Sequence, residues 1–154
     1  MPLPDFTPDG YLPHGIYAAS LAEVVKRFGT ASPARNRQAE LLRQIVEAAK
    51  NYPTIKRVLL WGSFITTKLE PADLDYSIIV SIDHGQTILH SDHRRFFRPL
   101  EARVYYGVDR GTLVLPDYPL ELYIERVHFF CHTRERSECG IVEINIHGEI
   151  VSGR

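Results

Sequence analysis

Two spacings of apolar residues alternate along the chain. From Pro33 to about Asn51, Leu41, Leu42, Ile45, Val46 and Ala49 recur at steps of three and four, the stripe of an amphipathic helix. Ser32 before Pro33 gives that helix a start. A shorter helix precedes it: Ser20 and Glu23 have capping-box spacing, and Gly29 supplies the stop. The period then changes. Ile55 to Trp61 and Asp73 to Ile82 are β-branched and aromatic runs that predict strands. GSFITTKLEPA between them reads as a loop opening with a helical turn. Beyond it the pattern predicts a helix from about Gln86 to Tyr106, led by Leu89, Phe96, Phe97 and Leu100. A strand from Val108 to Leu115, a helix from Leu120 to His132 and a last strand from Gly140 to Ile146 follow. The order α–α–β–β–α–β–α–β predicts an α+β fold, an α/β sandwich with a mixed β-sheet flanked by helices.

A chain of 154 residues fits one domain. Residues 1–18 carry four of the ten prolines and read as an extended N-terminal arm that packs on the domain or on a partner; residues 19–154 read as the domain itself. Hydrophobic residues at 44% and charged residues at 24% are ordinary globular usage. No apolar run approaches the ~18 residues of a membrane span. The start, MPLPDFTPDGYLPHG, lacks the basic and apolar regions of a signal peptide, so a cytoplasmic protein is expected.

Charge and cysteine content narrow the partners. A net charge of −1 gives no domain-wide footprint for long nucleic acid. Arg94, Arg95, Arg98 and Arg103 are the local exception, either a solvated helix face or a dock for phosphate, RNA or an acidic partner. His128, Cys131, His132 and Cys139 offer zinc-compatible atoms without the paired spacing of structural zinc, and a buried cysteine is the simpler reading.

The chemistry concentrates in WGSFITTKLEPADLDYSIIV. Gly62 lets a phosphate or another backbone approach without a Cβ in the way. Ser63 adds a hydroxyl and an N–H at a turn suited to anions. Asp73 and Asp75, two residues apart at the start of a strand, place two carboxylates on one side. Such a pair repels unless a cation sits between its members, and hard oxygen ligands suit Mg²⁺ or Mn²⁺. Each piece alone has a bland reading, a solvated start to a strand and an ordinary turn. A phosphate cradle followed by a carboxylate pair is what metal-assisted nucleotidyl transfer requires. Lys68 in the intervening loop is a phosphate contact or a surface lysine. Thr66 and Thr67 offer hydroxyls to the same loop or cap it. Trp61 and Tyr76 beside the motifs read as packing, with base stacking as the alternative. His84, His90 and His93 show no metal spacing.

These residues resemble the nucleotidyltransferase superfamily that includes DNA polymerase β and the minimal nucleotidyltransferases. Its pattern is a Gly-Ser pair, about ten residues, then Asp-x-Asp; here nine residues, Phe64 to Ala72, intervene. GSFITTKLEPADLD, the arm GYLPHGIY and the late GIVEINI also resemble a group of small bacterial proteins of this fold. The resemblance implies a nucleotidyltransferase fold and an enzyme that moves a nucleoside monophosphate from an NTP such as ATP to a hydroxyl on a protein, RNA or small molecule. Gly62, Ser63 and Lys68 would then hold the triphosphate, and Asp73 and Asp75 would bind Mg²⁺ or Mn²⁺. Asp109 stands where the third carboxylate falls in chain order, although its glycine neighbours also fit a turn; Asp117, Glu121 and Asp83 are the substitutes. The resemblance further implies a protein partner, as one half of a toxin–antitoxin pair. A degenerate module that binds a nucleotide or a partner without chemistry is the alternative, and the reach of Asp109 separates the two.

Overall fold

A computed structural model describes residues 3–81, 83–97, 112–116 (backbone) and 138–147. Their elements are β1 (Gly15–Ala18), α1 (Leu21–Phe28), α2 (Pro33–Ala49), β2 (Ile55–Trp61), β3 (Asp75–Val80), α3 (Arg94–Phe97), β4 (Thr112–Pro116) and β5 (Gly140–Asn145). The fold is α+β, built on one mixed sheet of five strands in the order β1-β5-β2-β3-β4. β2 lies at its centre, antiparallel to both β5 and β3, while β1 runs parallel to β5 and β4 parallel to β3.

Local chemistry sets the helix ends. The Ser20 hydroxyl accepts from the Glu23 N–H at 3.1 Å, and the Glu23 carboxylate accepts from the Ser20 N–H at 3.0 Å, so the box at α1 is complete. The Ser32 hydroxyl accepts from the Arg35 N–H at 3.2 Å, with Pro33 in the first turn of α2. The apolar stripe of α2 then buries Leu42, Ile45, Val46 and Ala49. It packs with Val24 and Phe28 of α1 on the face of the sheet formed by Val58, Leu60, Tyr76, Ile78, Val80, Val142 and Ile144. On the other face Leu59, Ser77, Ile79 and Ile141 are buried as well. Burial on both sides explains why Val58–Leu60 of β2 and Ile78–Val80 of β3 are continuous apolar runs rather than alternating ones.

The proline-rich arm is part of this architecture. Gly15–Ala18 forms the edge strand β1, and Leu12 is buried while its carbonyl accepts from the Gly140 N–H at 2.9 Å. Farther out, Arg27 donates to the carbonyl of Pro4 at 2.8 Å and lies 4.5 Å from the centre of the Phe6 ring, which meets Phe28 edge-on.

One expected helix starts late. Residues 84–86 form a 3₁₀ turn, 87–90 are irregular, and helix begins at Arg94; residues 98–106 lie outside the described residues. Side-chain bonds draw this stretch onto the turn between α2 and β2. The Thr54 hydroxyl meets both His84 Nδ1 and Thr87 Oγ1 at 2.8 Å, and the Tyr52 hydroxyl accepts the His90 N–H at 2.9 Å. Gly85 and the β-branched pair Thr87-Ile88 weaken the helix against that competition. Of the strand expected at Val108–Leu115, residues 108–111 lie outside the described residues and Thr112–Pro116 is strand β4; the proposed helix at 120–132 also lies outside the described residues.

Candidate functional site

β2 ends at Trp61, and Gly62 turns the chain with φ +79° and ψ −161°. That region belongs essentially to glycine. The turn continues as a short 3₁₀ helix, Ser63–Ile65, in which the Thr66 N–H bonds the Ser63 carbonyl at 3.2 Å. Trp61 pairs with Asp75 across the antiparallel β2–β3 ladder, which brings the Gly-Ser turn beside the start of β3. A Cβ on Gly62 would land on the Asp75 carboxylate, with Cγ at 3.1 Å and the aspartate's own Cβ at 3.2 Å. The two motifs therefore meet at one end of the sheet, and Gly62 is what allows the approach.

Asp73 and Asp75 are both partly exposed there, Asp75 as the first residue of β3 and Asp73 two residues before it. Asp73 also lines an open groove of about 530 Å³ between α2 and residues Pro71–Leu74, with Arg37, Gln38 and Gln44 on its other wall. Ser63 is partly exposed, and among the described residues its hydroxyl and N–H have no partner. Lys68 is exposed on the loop, so its ammonium is available at the surface. Asp109, Asp117 and Glu121 lie outside the described residues. Asp83 sits past the far end of β3 from Asp75, exposed, and the Ser81 hydroxyl that donates to it pulls its carboxyl below the usual range. It is remote from the motifs and cannot complete them.

Several neighbours have structural tasks. The Thr66 hydroxyl donates to the Ser63 carbonyl at 2.7 Å and accepts from the Lys68 N–H at 3.2 Å, a capping role. Tyr76 is fully buried and its hydroxyl donates to the Phe96 carbonyl at 2.6 Å, so it stacks on no base. Trp61 donates from Nε1 to Ser77 Oγ at 3.3 Å. His93 Nδ1 meets the Tyr52 hydroxyl at 2.6 Å, and burial pushes the His84 imidazole below the usual histidine range against the opposing charge of Asp83. Of the arginine cluster, Arg94 is exposed, Arg95 packs over the Phe96 ring at 5.2 Å, and Arg98 and Arg103 lie outside the described residues. Of the zinc-compatible set only Cys139 is described; it is buried, and burial pushes its thiol upward.

Sequence reasoning missed Arg35 and Gln38. Arg35 is 3% exposed, and its guanidinium donates to the carbonyls of Phe28, Phe64, Thr66 and Lys68. Gln38 Nε2 donates to the Pro71 carbonyl at 2.6 Å, and the Ser32 hydroxyl to the Leu69 carbonyl at 2.7 Å. A signal was present. Residues 35 and 38 continue the buried stripe 42, 45, 49 at helical spacing, and a polar side chain on such a stripe must find a buried partner.

The chain belongs to a family of unknown function, DUF6932, whose profile matches residues 4–145. No curated protein and no solved structure gives a significant match. Among the described residues no helix is long and apolar enough to cross a membrane.

Proposed function

We propose that the protein is a metal-dependent nucleotidyltransferase with the nucleotidyltransferase fold, moving a nucleoside monophosphate from an NTP to a hydroxyl. One observation carries the reading: the glycine turn after β2 is packed against the Asp75 carboxylate, so an anion-compatible turn and a carboxylate pair share one end of the sheet. The donor set fits a hard divalent cation, since Asp73 and Asp75 offer carboxylate oxygens at a partly exposed edge. Mg²⁺ or Mn²⁺ held there would offset the charge of the triphosphate. Gly62 and Ser63 present backbone N–H and hydroxyl groups to the phosphates, and Lys68 adds a mobile positive charge. In the transfer the acceptor oxygen bonds to the α-phosphorus, the bond from that phosphorus to the bridging oxygen breaks, and pyrophosphate leaves. The acceptor's proton passes to a base, the role proposed for Asp109. Protein, RNA and small-molecule hydroxyls are the proposed acceptors, and a toxin–antitoxin partner belongs to the same proposal.

Labelled NTPs test this. With Mg²⁺ or Mn²⁺, label in the α-phosphate is expected on an acceptor, and label in the γ-phosphate in released pyrophosphate. Transfer of γ-label would make the protein a kinase. Nucleotide binding with neither label transferred would favour the module that binds a nucleotide or a partner without chemistry.

A further inference from the structure

The loop between the motifs is held by its carbonyls, and from one helix. Ser32, Arg35 and Gln38 recur every third residue along one side of α2. Arg35 Nη1 donates to the Phe64 carbonyl at 2.6 Å, Nη2 to the Thr66 carbonyl at 2.6 Å, and Nε to the Lys68 carbonyl at 3.1 Å. Ser32 and Gln38 extend the hold to the carbonyls of Leu69 and Pro71. The N-terminal arm contributes the Gly10 carbonyl, which accepts the Thr67 N–H at 3.0 Å. Five loop carbonyls are thereby turned toward α2.

Stability alone is a poor reason for this arrangement. Arg35 is buried, has no carboxylate partner among the described residues, and occupies a stripe position where an apolar side chain avoids the desolvation that lowers its pKa. A planar guanidinium with five donors is, however, suited to binding several carbonyls of one loop at fixed angles. We propose that Arg35 is the positioning residue of the site. It fixes Phe64–Lys68, and with them the Ser63 turn and the base of the Lys68 side chain, relative to Asp73 and Asp75. The identity of the ligand rests on the nucleotidyl-transfer reading; the hold on the loop rests on geometry alone.

The test uses the full chain, with Arg35→Lys, which keeps the charge but not the fork, and Gln38→Leu, which removes the Pro71 bond while keeping the stripe buried. Hydrogen exchange is followed by mass spectrometry over residues 62–72 and over β2 and β3, alongside the affinity for each of the four NTPs with Mn²⁺. In Arg35→Lys, exchange over 64–68 is expected to rise about tenfold or more, the effect of losing one charge-assisted hydrogen bond. The β2 and β3 amides should be unchanged and Mn²⁺–NTP affinity should fall by a similar factor. Gln38→Leu should loosen only the stretch around Pro71. Unchanged loop exchange in Arg35→Lys overturns the proposal. So does an equal rise in the strands, which would mark a general stability residue, or a loosened loop with undiminished affinity. If the wild type binds no NTP while the loop loosens as expected, the nucleotidyl-transfer reading fails and the hold on the loop stands.

Discussion

Replacing Gly62 with alanine strains the backbone and displaces a carboxylate in one step. At φ +79° and ψ −161° the position lies in a region that costs a residue with a Cβ about 1–3 kcal/mol. The added methyl also falls on the Asp75 carboxylate, whose Cγ stands 3.1 Å away, so that side chain must leave its rotamer for about 1 kcal/mol more. Gly62→Ala is thus expected to lose about 2–4 kcal/mol in urea melts and roughly 4–16 °C in Tm, at ~2–4 °C per kcal/mol for a chain of this length. Gly85→Ala is the control: a Cβ there meets nothing within 4 Å and the backbone has no positive φ, so its change should stay within about 0.5 kcal/mol. Any Mg²⁺-dependent nucleotide response should vanish in Gly62→Ala and persist in Gly85→Ala. A Gly62→Ala protein as stable as wild type, with its ligand response intact, would refute the claim that this glycine brings turn and carboxylate together.

Other expected outcomes follow from individual groups. Asp73→Asn should leave thermal stability without metal within about 0.5 kcal/mol, because the residue is partly exposed, while removing metal-dependent nucleotide binding; a large loss of stability without metal would count against a metal-binding role. Burial lowers the His84 pKa, so the folded state binds fewer protons than the unfolded one. Its contribution is present above about pH 6.5 and is lost as pH falls below that value, so His84→Asn should flatten the stability profile between about pH 7 and 5. Tyr52→Phe removes the hydroxyl bonded to the His90 N–H and to His93, with an expected loss of about 1–3 kcal/mol in urea melts; a value near zero would show that these bonds do not anchor residues 87–93. With its thiol buried and its pKa raised, Cys139 in a Cys131→Ser background should resist a thiol reagent at pH 8 until urea unfolds the chain; rapid labelling of the native state would contradict that burial.

What the sequence made legible was local. β2 has the bounds Ile55–Trp61 that its apolar run suggests, because Pro53 and Gly62 punctuate it on either side. Both serine caps were legible because their partners lie three residues away. The meeting of Gly62 with Asp75 follows from strand, turn and strand in a short stretch of chain, and the resemblance drew attention to it. Non-local pairings carried no such signal. β1 pairs with β5, Gly15 with Gly140, across most of the chain, and a proline-rich arm gives no hint of a distant partner. The helix expected from Gln86 fails at its start because Tyr52 and Thr54, more than thirty residues earlier, compete for its polar groups. Arg35 escaped notice for the same reason: its loop partners are main-chain carbonyls 29–33 residues farther on, which side-chain patterns do not display.

The proposed nucleotide site is tested most directly by calorimetric titration of the four NTPs into the wild-type protein and Asp73→Asn, each with and without Mg²⁺. The account predicts that at least one NTP binds the wild type only when Mg²⁺ is present, and that Asp73→Asn abolishes the heat. Absence of binding with Mg²⁺, or binding that is the same without metal and in the variant, would contradict it.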